Sequence, residues 1–392
     1  MNKILLSEPY FENKDIESVK NSVKKNWVST AGKEITKFEN KISKLTKSKF
    51  CIACNSGTSA LHIALKVIGI KKNDEVLAPS ITFIATINSI KYNNAHPIFM
   101  DVDNFYNIDE EKTIEFLKYN TFSKNGKCYN SKTKRVIKAI VVAHIWGGGA
   151  KIKKLLNECK KKKIRIIEDA AEGLSTFYKK KYLNNRHVGT IGDLGILSFN
   201  GNKIITTGAG GMILTDKKIL AKKSRYLINQ AKDNDFFLHN EVGYNYRMPN
   251  LNASLGVSQL NNINKIRKLK KNIFENYCQI FKKSKPFKVF QYSKIANPNY
   301  WMVILILKEK VNKKFINYLL KRTERQIQFR KVWLPNERQK MYKNNQKYKI
   351  KNSKILHENS LCSPCSSNIN YKKIKYIFNT IEKNYENFTN IK

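Results

Sequence analysis

The chain has 392 residues, enough for two domains of ordinary size. Its 74 Lys and Arg against 30 Asp and Glu give a formal charge of +44, yet the lysines are spread along the whole chain and no nucleic-acid reader motif accompanies them, so a specific nucleic-acid partner is not expected. No segment reaches the roughly 18 apolar residues of a membrane helix, and Ile4-Leu5-Leu6 is the only apolar run near the start, so neither membrane insertion nor a signal peptide is expected and a cytoplasmic location is.

In chain order, Ile35, Phe38, Ile42 and Leu45 recur at helical spacing and predict an amphipathic helix over Lys33–Lys47. Ile52-Ala53-Cys54 is short and apolar, and Asn55-Ser56-Gly57-Thr58 reads as a turn opening a buried helix. Glu75–Pro79 and His96–Asp101 read as strands, with an apolar helix over Ile84–Tyr92 between them. Arg135–His144 is a further strand; Ile152, Leu155, Leu156 and Cys159 mark the next helix. Ile164–Ile167 is a strand ending in Glu168-Asp169. Leu194–Phe199 follows, and Met212–Thr215 is its hairpin partner beyond the link Gly208–Gly211. Strands alternating with helices predict an α/β fold with a mostly parallel sheet, whose ligands bind at the carboxyl ends of the strands. Past Arg247 the texture changes. One long helix over Leu251–Lys282, a strand over Tyr300–Leu307 and helices near Phe315–Lys321 and Tyr371–Phe388 predict a smaller second domain, with the boundary near Pro249.

The seven cysteines include two Cys-x-x-Cys pairs, Cys51/Cys54 and Cys362/Cys365. Zinc needs the pairs to meet in space. The first pair sits in an apolar run, and Cys365 follows Pro364, so buried thiols in a reducing compartment are expected and a metal is not.

Three stretches carry chemistry. Gly57 and Thr58, opening a helix, suit an anion cradle, and equally an ordinary helix cap. Asp169, at the end of an apolar strand, is costly to bury without a cationic partner, and can also be a helix N-cap. Lys203 ends the run Ser198-Phe199-Asn200-Gly201-Asn202-Lys203 after a buried strand. A desolvated lysine there can form a Schiff base, whereas one lysine among so many is ordinarily a solvated surface group.

Taken together and in order, these stretches resemble the sugar aminotransferases of the DegT/DnrJ/EryC1/StrS group. The resemblance runs through Trp27-Val28-Ser29-Thr30, Asn55–His62, Pro79–Thr86, Glu168–Glu172, Gly192-Asp193, Ser198–Lys203 and Gly243–Met248. It implies the aspartate-aminotransferase-like fold, with a seven-stranded sheet in a large domain (residues 1–249, of which the first 20 or so pack on the small domain) and a small α/β domain (residues 250–392). It also implies pyridoxal 5'-phosphate as cofactor. Lys203 would hold the cofactor and shuttle the proton, and Asp169 would pair with the pyridine nitrogen. Glu172 would lie near the 3-hydroxyl, Ser198 with Gly57 and Thr58 would hold the phosphate, and Phe83 would stack on the ring. Asn245 would reach the phosphate in a neighbouring subunit, which implies a homodimer with shared sites. Ser29, Thr30, Asn202 and Arg330 would contact substrate.

The run Ser198–Gly208, with Gly189–Asp193, looks like the branch that aminates UDP-linked 4-keto-6-deoxy-N-acetylhexosamines with glutamate as donor. Some positions depart from that branch: Ala209 replaces a glycine, Gly147-Gly148-Gly149-Ala150 is unusually glycine-rich, and Glu337 stands where histidine is usual. A carboxylate there is expected to alter the electrostatics of the sugar pocket. The competing readings are a dehydratase or 3-keto-sugar aminotransferase on the same fold, a non-catalytic relative and a polyanion binder. The retained Lys203 argues against the dehydratase and, with Asp169, against the non-catalytic relative.

Overall fold

A computed structural model describes residues 3–233 and 237–390. The chain begins with helices α1 (Asn13–Lys24) and α2 (Lys33–Thr46), then alternates through β1 (Phe50–Cys54), α3 (Gly57–Val67), β2 (Glu75–Pro79), α4 (Ile84–Tyr92), β3 (His96–Met100) and α5 (Glu110–Tyr119). A hairpin of β4 (Thr121–Lys124) and β5 (Lys127–Asn130) precedes β6 (Ile137–Ala143), α6 (Lys153–Lys161), β7 (Arg165–Asp169), β8 (Phe177–Tyr178) and α7 (Lys180–Leu183). Next come β9 (Leu194–Ser198), β10 (Gly211–Thr215), α8 (Lys218–Ile228) and the two-residue strands β11 (Lys232–Asp233) and β12 (Leu238–His239). The last third holds α9 (Asn250–Asn261), α10 (Ile263–Phe281), β13 (Phe287–Val289), β14 (Ala296–Asn297), β15 (Val303–Leu307), α11 (Lys314–Thr323), β16 (Arg330–Lys331), β17 (Lys347–Tyr348), α12 (Asn352–Asn359), β18 (Ser360–Ser363) and α13 (Tyr371–Asn390).

The main sheet has the order β1-β10-β9-β7-β6-β2-β3-β17. Within it β10 pairs antiparallel with β1 and β9, and the other pairs are parallel. The carboxyl ends of β1, β2, β6, β7 and β9 therefore lie along one edge, where ligands of such sheets bind. Seven strands come from Phe50–Thr215, as expected; the eighth, β17, is a two-residue strand from much later in the chain.

Alternation of side chains across the pleat builds a core on each face. Ile140, Val142, Ile166 and Leu197 pack in one cluster, while Ala139, Val141, Ile167 and Ile196 pack in the other. Helix α2 buries Phe38 and Ile42, with Ile35 and Leu45 packed at the margin, as its spacing predicts.

A second, antiparallel sheet has the order β13-β15-β18-β16, and α13 packs against α10 and α11 beside it. Residues at the N-terminus reach it: Ile4 pairs with Ile327, and the Cys365 N–H donates to the Leu6 carbonyl at 2.8 Å. The expected single helix over Leu251–Lys282 is two helices, broken at Asn262. The Asn262 amide donates to Glu12 Oε2 at 3.0 Å, so this side chain bonds outside the helix at the break. Helix α9 packs against α1 and α2. No helix among the described residues is long and apolar enough to cross a membrane.

Asp101, just past β3, ties the later chain to the main sheet. Its carboxylate is sealed from solvent and accepts from the N–H groups of Lys351, Asn352 and Ser353 at 2.9–3.0 Å and from Lys112 Nζ at 2.5 Å. Burial pushes its pKa up, but Lys112 and those N–H groups outweigh burial and hold it below the usual aspartate value. A depressed carboxylate stabilises the fold above its unfolded pKa, and that stabilisation is lost as pH falls through the folded one. Asp101→Asn is expected to lower stability at neutral pH by about 3 kcal/mol, read from the urea-unfolding midpoint. The gap between variant and wild type should close in the acid range below the usual aspartate value.

Candidate active site

Ser56 begins the site as the N-cap of α3, its hydroxyl oxygen accepting from the Ser59 N–H at 3.0 Å. The first N–H groups of α3 have no partner within the helix and carry the positive end of its dipole. Two glycines let three strands close around this point. A Cβ on Gly57 would stand 3.0 Å from Ser198 Cβ, and one on Gly211 would stand 2.4 Å from the Ser56 carbonyl. The Ser198 side chain at the end of β9 is thereby held against the start of α3.

Asp169 ends β7 and is 7% exposed. Thr86 Oγ1 donates to its Oδ2 at 2.6 Å, and the Ala171 N–H reaches its Oδ1 at 3.2 Å. Thr86 and Thr82, one helical turn apart in sequence, lie 2.9 Å apart at their hydroxyls. Because the Thr86 proton is committed to Asp169, Thr82 is the donor of that second bond.

Glu168, adjacent to Asp169, points to the opposite face of the sheet. Sealed from water, it accepts from His144 Nε2 at 2.9 Å and from the N–H groups of Gly189, Ile191 and Gly192 at 3.0, 2.5 and 2.7 Å. The Ala150 N–H donates to His144 Nδ1 at 3.1 Å, which puts the ring proton on Nε2, facing the carboxylate. Burial pushes the Glu168 pKa up, but His144 and the backbone donors outweigh it and hold the group ionised, below the usual range.

Lys203 sits in the turn after β9, with Nζ 3.4 Å from Glu172 Oε1 and 4.2 Å from the centroid of the Trp301 ring. Burial raises the Glu172 pKa, only partly offset by Lys203 and by the Trp146 N–H, which donates to Oε2 at 2.8 Å. Trp146 holds a left-handed backbone, φ 59°, and stacks between Trp333 at 4.5 Å and Trp301 at 6.4 Å. Phe83 meets Trp333 at 6.1 Å. Arg330, on β16 of the second sheet, keeps Nε and Nη2 buried with no protein partner.

One cavity of about 270 Å³ joins these groups. Of the residues singled out in the sequence, Gly57, Thr58, Phe83, Asp169, Glu172, Ser198, Asn202, Lys203 and Arg330 line it. Ser29, Thr30 and Asn245 do not; Ser29 and Asn245 are exposed, and Thr30 is half-buried elsewhere. Glu337 does not line it either. It is buried, with Ser80 Oγ donating to its Oε2 at 2.6 Å, and burial raises its pKa, so the expected carboxylate at the cavity wall is absent from the wall. The structure adds Thr86, His144, Trp301 and Trp333 to the lining. Thr86 lay within a stretch already singled out, but its bond to Asp169 has no local signature. Trp301 and Trp333 come from distant segments.

The Cys51/Cys54 pair lies on β1, and Cys362 and Cys365 lie on and just after β18, all free and buried. Burial pushes the Cys51 thiol up to about 12, which keeps it protonated. Among the described residues no group of three or more His, Cys, Asp and Glu side chains could hold a metal ion.

The profile of the DegT/DnrJ/EryC1/StrS aminotransferase family matches residues 9–382, and the chain belongs to that family. It is 31% identical to GDP-perosamine synthase of Escherichia coli O157:H7, covering 98% of this chain and 99% of that one. It is 29% identical to UDP-4-amino-4,6-dideoxy-N-acetyl-beta-L-altrosamine transaminase of Campylobacter jejuni, covering 96% of each. Among solved structures, Helicobacter pylori PseC superposes with a TM-score of 0.85 at 22% identity, covering 98% of this chain and 100% of that one. Spr1654 of Streptococcus pneumoniae, in its pyridoxal-phosphate form, superposes with a TM-score of 0.85 at 19% identity, covering 97% and 98%.

The protein is a sugar aminotransferase that depends on pyridoxal 5'-phosphate. The residues present fit that cofactor. The start of α3, open because Gly57 and Gly211 carry no side chain, suits a phosphate; the buried Asp169 suits a cationic ring nitrogen; and Lys203 Nζ faces the same cavity.

Glu168→Gln places an amide nitrogen among donors and should cost about 3 kcal/mol. A fall in the thermal midpoint, with faster amide exchange at residues 189–192, would register it.

Proposed function

We propose that this chain transfers the amino group of glutamate to carbon 4 of a UDP-linked 4-keto-6-deoxy-N-acetylhexosamine, for a surface polysaccharide or glycan. The observation that carries the reading is the placement of Lys203, Asp169 and the start of α3 around one cavity. Pyridoxal phosphate, when bound, supplies an aldehyde carbon to carry the amino group and a ring to take up the electron pair.

The chain's own residues do the rest. Gly57 and Thr58 at the start of α3, with Ser198, hold the phosphate. Asp169, oriented by Thr86, keeps the pyridine nitrogen protonated. Phe83 and Glu172 line the same cavity, where Phe83 would stack on the ring and Glu172 would lie near its 3-hydroxyl. Lys203 would hold the cofactor covalently and, when free, would move the proton to or from the carbon that gains or loses nitrogen. Asn202 and Arg330, the latter with two unpartnered guanidinium nitrogens, contact substrate from the cavity wall. Asn245, exposed and away from this cavity, reaches the phosphate in a second copy, so the working unit is a homodimer; Ser29 and Thr30, read as substrate contacts, lie outside this chain's own cavity.

The same reading takes residues 1–249 as a large cofactor-binding domain and 250–392 as a small one. The strands of the second sheet all follow residue 250, while α9, β14, β17 and the start of α12 are among the parts of the later chain that contact residues 1–249. The location is the cytoplasm, where nucleotide sugars and glutamate are at hand. A GDP-linked keto sugar is the second reading, favoured by the 31% identity to a GDP-perosamine synthase over nearly the whole of both chains.

Purified protein loaded with pyridoxal phosphate is expected to show a visible band that glutamate bleaches. A UDP-linked 4-keto-6-deoxy sugar should restore the band. Restoration by the GDP-linked sugar alone would establish the second reading, and bleaching without restoration by either would remove both sugars.

Lys203→Ala should lose the borohydride-reducible band and at least about 1000-fold in turnover. Glu337→Gln should change the KM for the sugar by less than about threefold, because the group lies behind the cavity wall. A larger change would place Glu337 in the substrate contact.

A further inference from the structure

Trp301 touches the Lys203 segment twice. Its ring face lies 4.2 Å from Lys203 Nζ, and its indole N–H donates to the carbonyl of Asn202 at 2.6 Å. The ring is 1% exposed and is backed by Trp146, so it has no room to swing away. Glu172 Oε1, 3.4 Å from the same nitrogen, supplies the counter-charge. An ammonium between a carboxylate and the face of an indole is held by ion pairing and by attraction to the ring quadrupole, both strengthened where water is excluded.

We propose that Trp301 is a positioning residue which, with Glu172, holds the free amine of Lys203 during the half of the cycle in which that amine is not bonded to the cofactor. The assignment rests on the reading of Lys203 given above. In the first half-reaction one water is consumed. The nitrogen of glutamate stays on the cofactor, the water oxygen leaves in 2-oxoglutarate, and Lys203 Nζ leaves as a free amine carrying its protons. The electron pair that reduces the cofactor carbon comes from the glutamate Cα–H bond, so no outside reductant is needed. The freed nitrogen then returns to the cradle of Trp301 and Glu172. The cradle stabilises the free-lysine state relative to the linked one and sets the equilibrium of the half-reaction, not only its rate.

The test is spectroscopic and reads an equilibrium. Holoenzyme is prepared with ordinary tryptophan, with 5-fluorotryptophan and with 5,7-difluorotryptophan. Fluorination weakens the negative face of the ring with little change in its shape. Each protein is titrated with glutamate against fixed 2-oxoglutarate, and the ratio that half-bleaches the visible band is recorded. The ratio should rise with each fluorine, by about two- to tenfold over the series. In Trp301→Phe, whose remaining tryptophans are fluorinated in the same way, the series should be flat. A flat series in the wild type overturns the assignment, and so does an equal rise in Trp301→Phe, which would trace the effect to another tryptophan. A wild-type band that glutamate does not bleach at all overturns the functional reading itself, and the assignment with it.

Discussion

A carboxylate shut away from water stays ionised only when donors surround it. Glu168 meets that condition with donors from two places: the imidazole just past β6, and three peptide N–H groups of the loop before β9. Satisfying it fixes the end of β7 against its two neighbours in the sheet. Since adjacent side chains on a strand point to opposite faces, fixing Glu168 on one face also sets Asp169 on the other. The position of Asp169 in the cavity is thus governed from the far side of the sheet.

The opposite wall is governed by close approach. Gly57 and Gly211 bring β1, β9 and β10 nearer than any side chain would allow, and Ser198 meets the start of α3 there. The third wall belongs to the second sheet and its neighbours, which contribute Trp301, Arg330 and Trp333 to a site otherwise built from the first 210 residues. Asp101 draws the segment around Lys351–Ser353 onto the main sheet by accepting from three of its N–H groups with both carboxylate oxygens.

Much of this was legible in the sequence where the signal is local. The expected ranges Glu75–Pro79 and Ile84–Tyr92 coincide with β2 and α4, since apolar periodicity and flanking turns mark them directly. Gly57, Asp169 and Lys203, each ambiguous alone, stood out because they fall in order on stretches that resemble the sugar aminotransferases. Contacts between distant segments left no trace. Nothing near Trp301 announces Lys203, and nothing in Lys347-Tyr348 announces an eighth strand beside β3. The break at Asn262 was hidden because the apolar pattern continues through it, while the bond to Glu12 lies 250 residues away. Helices α5 and α8 and the hairpin of β4 and β5 escaped notice because their polar faces dominate the local composition.

The stack of Trp333, Trp146 and Trp301 has an optical consequence. The chain has four tryptophans, and three of them stand in this one column against the cavity, leaving Trp27 as the remaining emitter on the exposed surface. Ultraviolet emission from the column is therefore a readout of one place. A chromophore seated in the cavity would accept excitation from the column by dipolar coupling, and the residual emission would come from Trp27. Occupancy of the site can thus be followed in the native chain, without a label, by light alone.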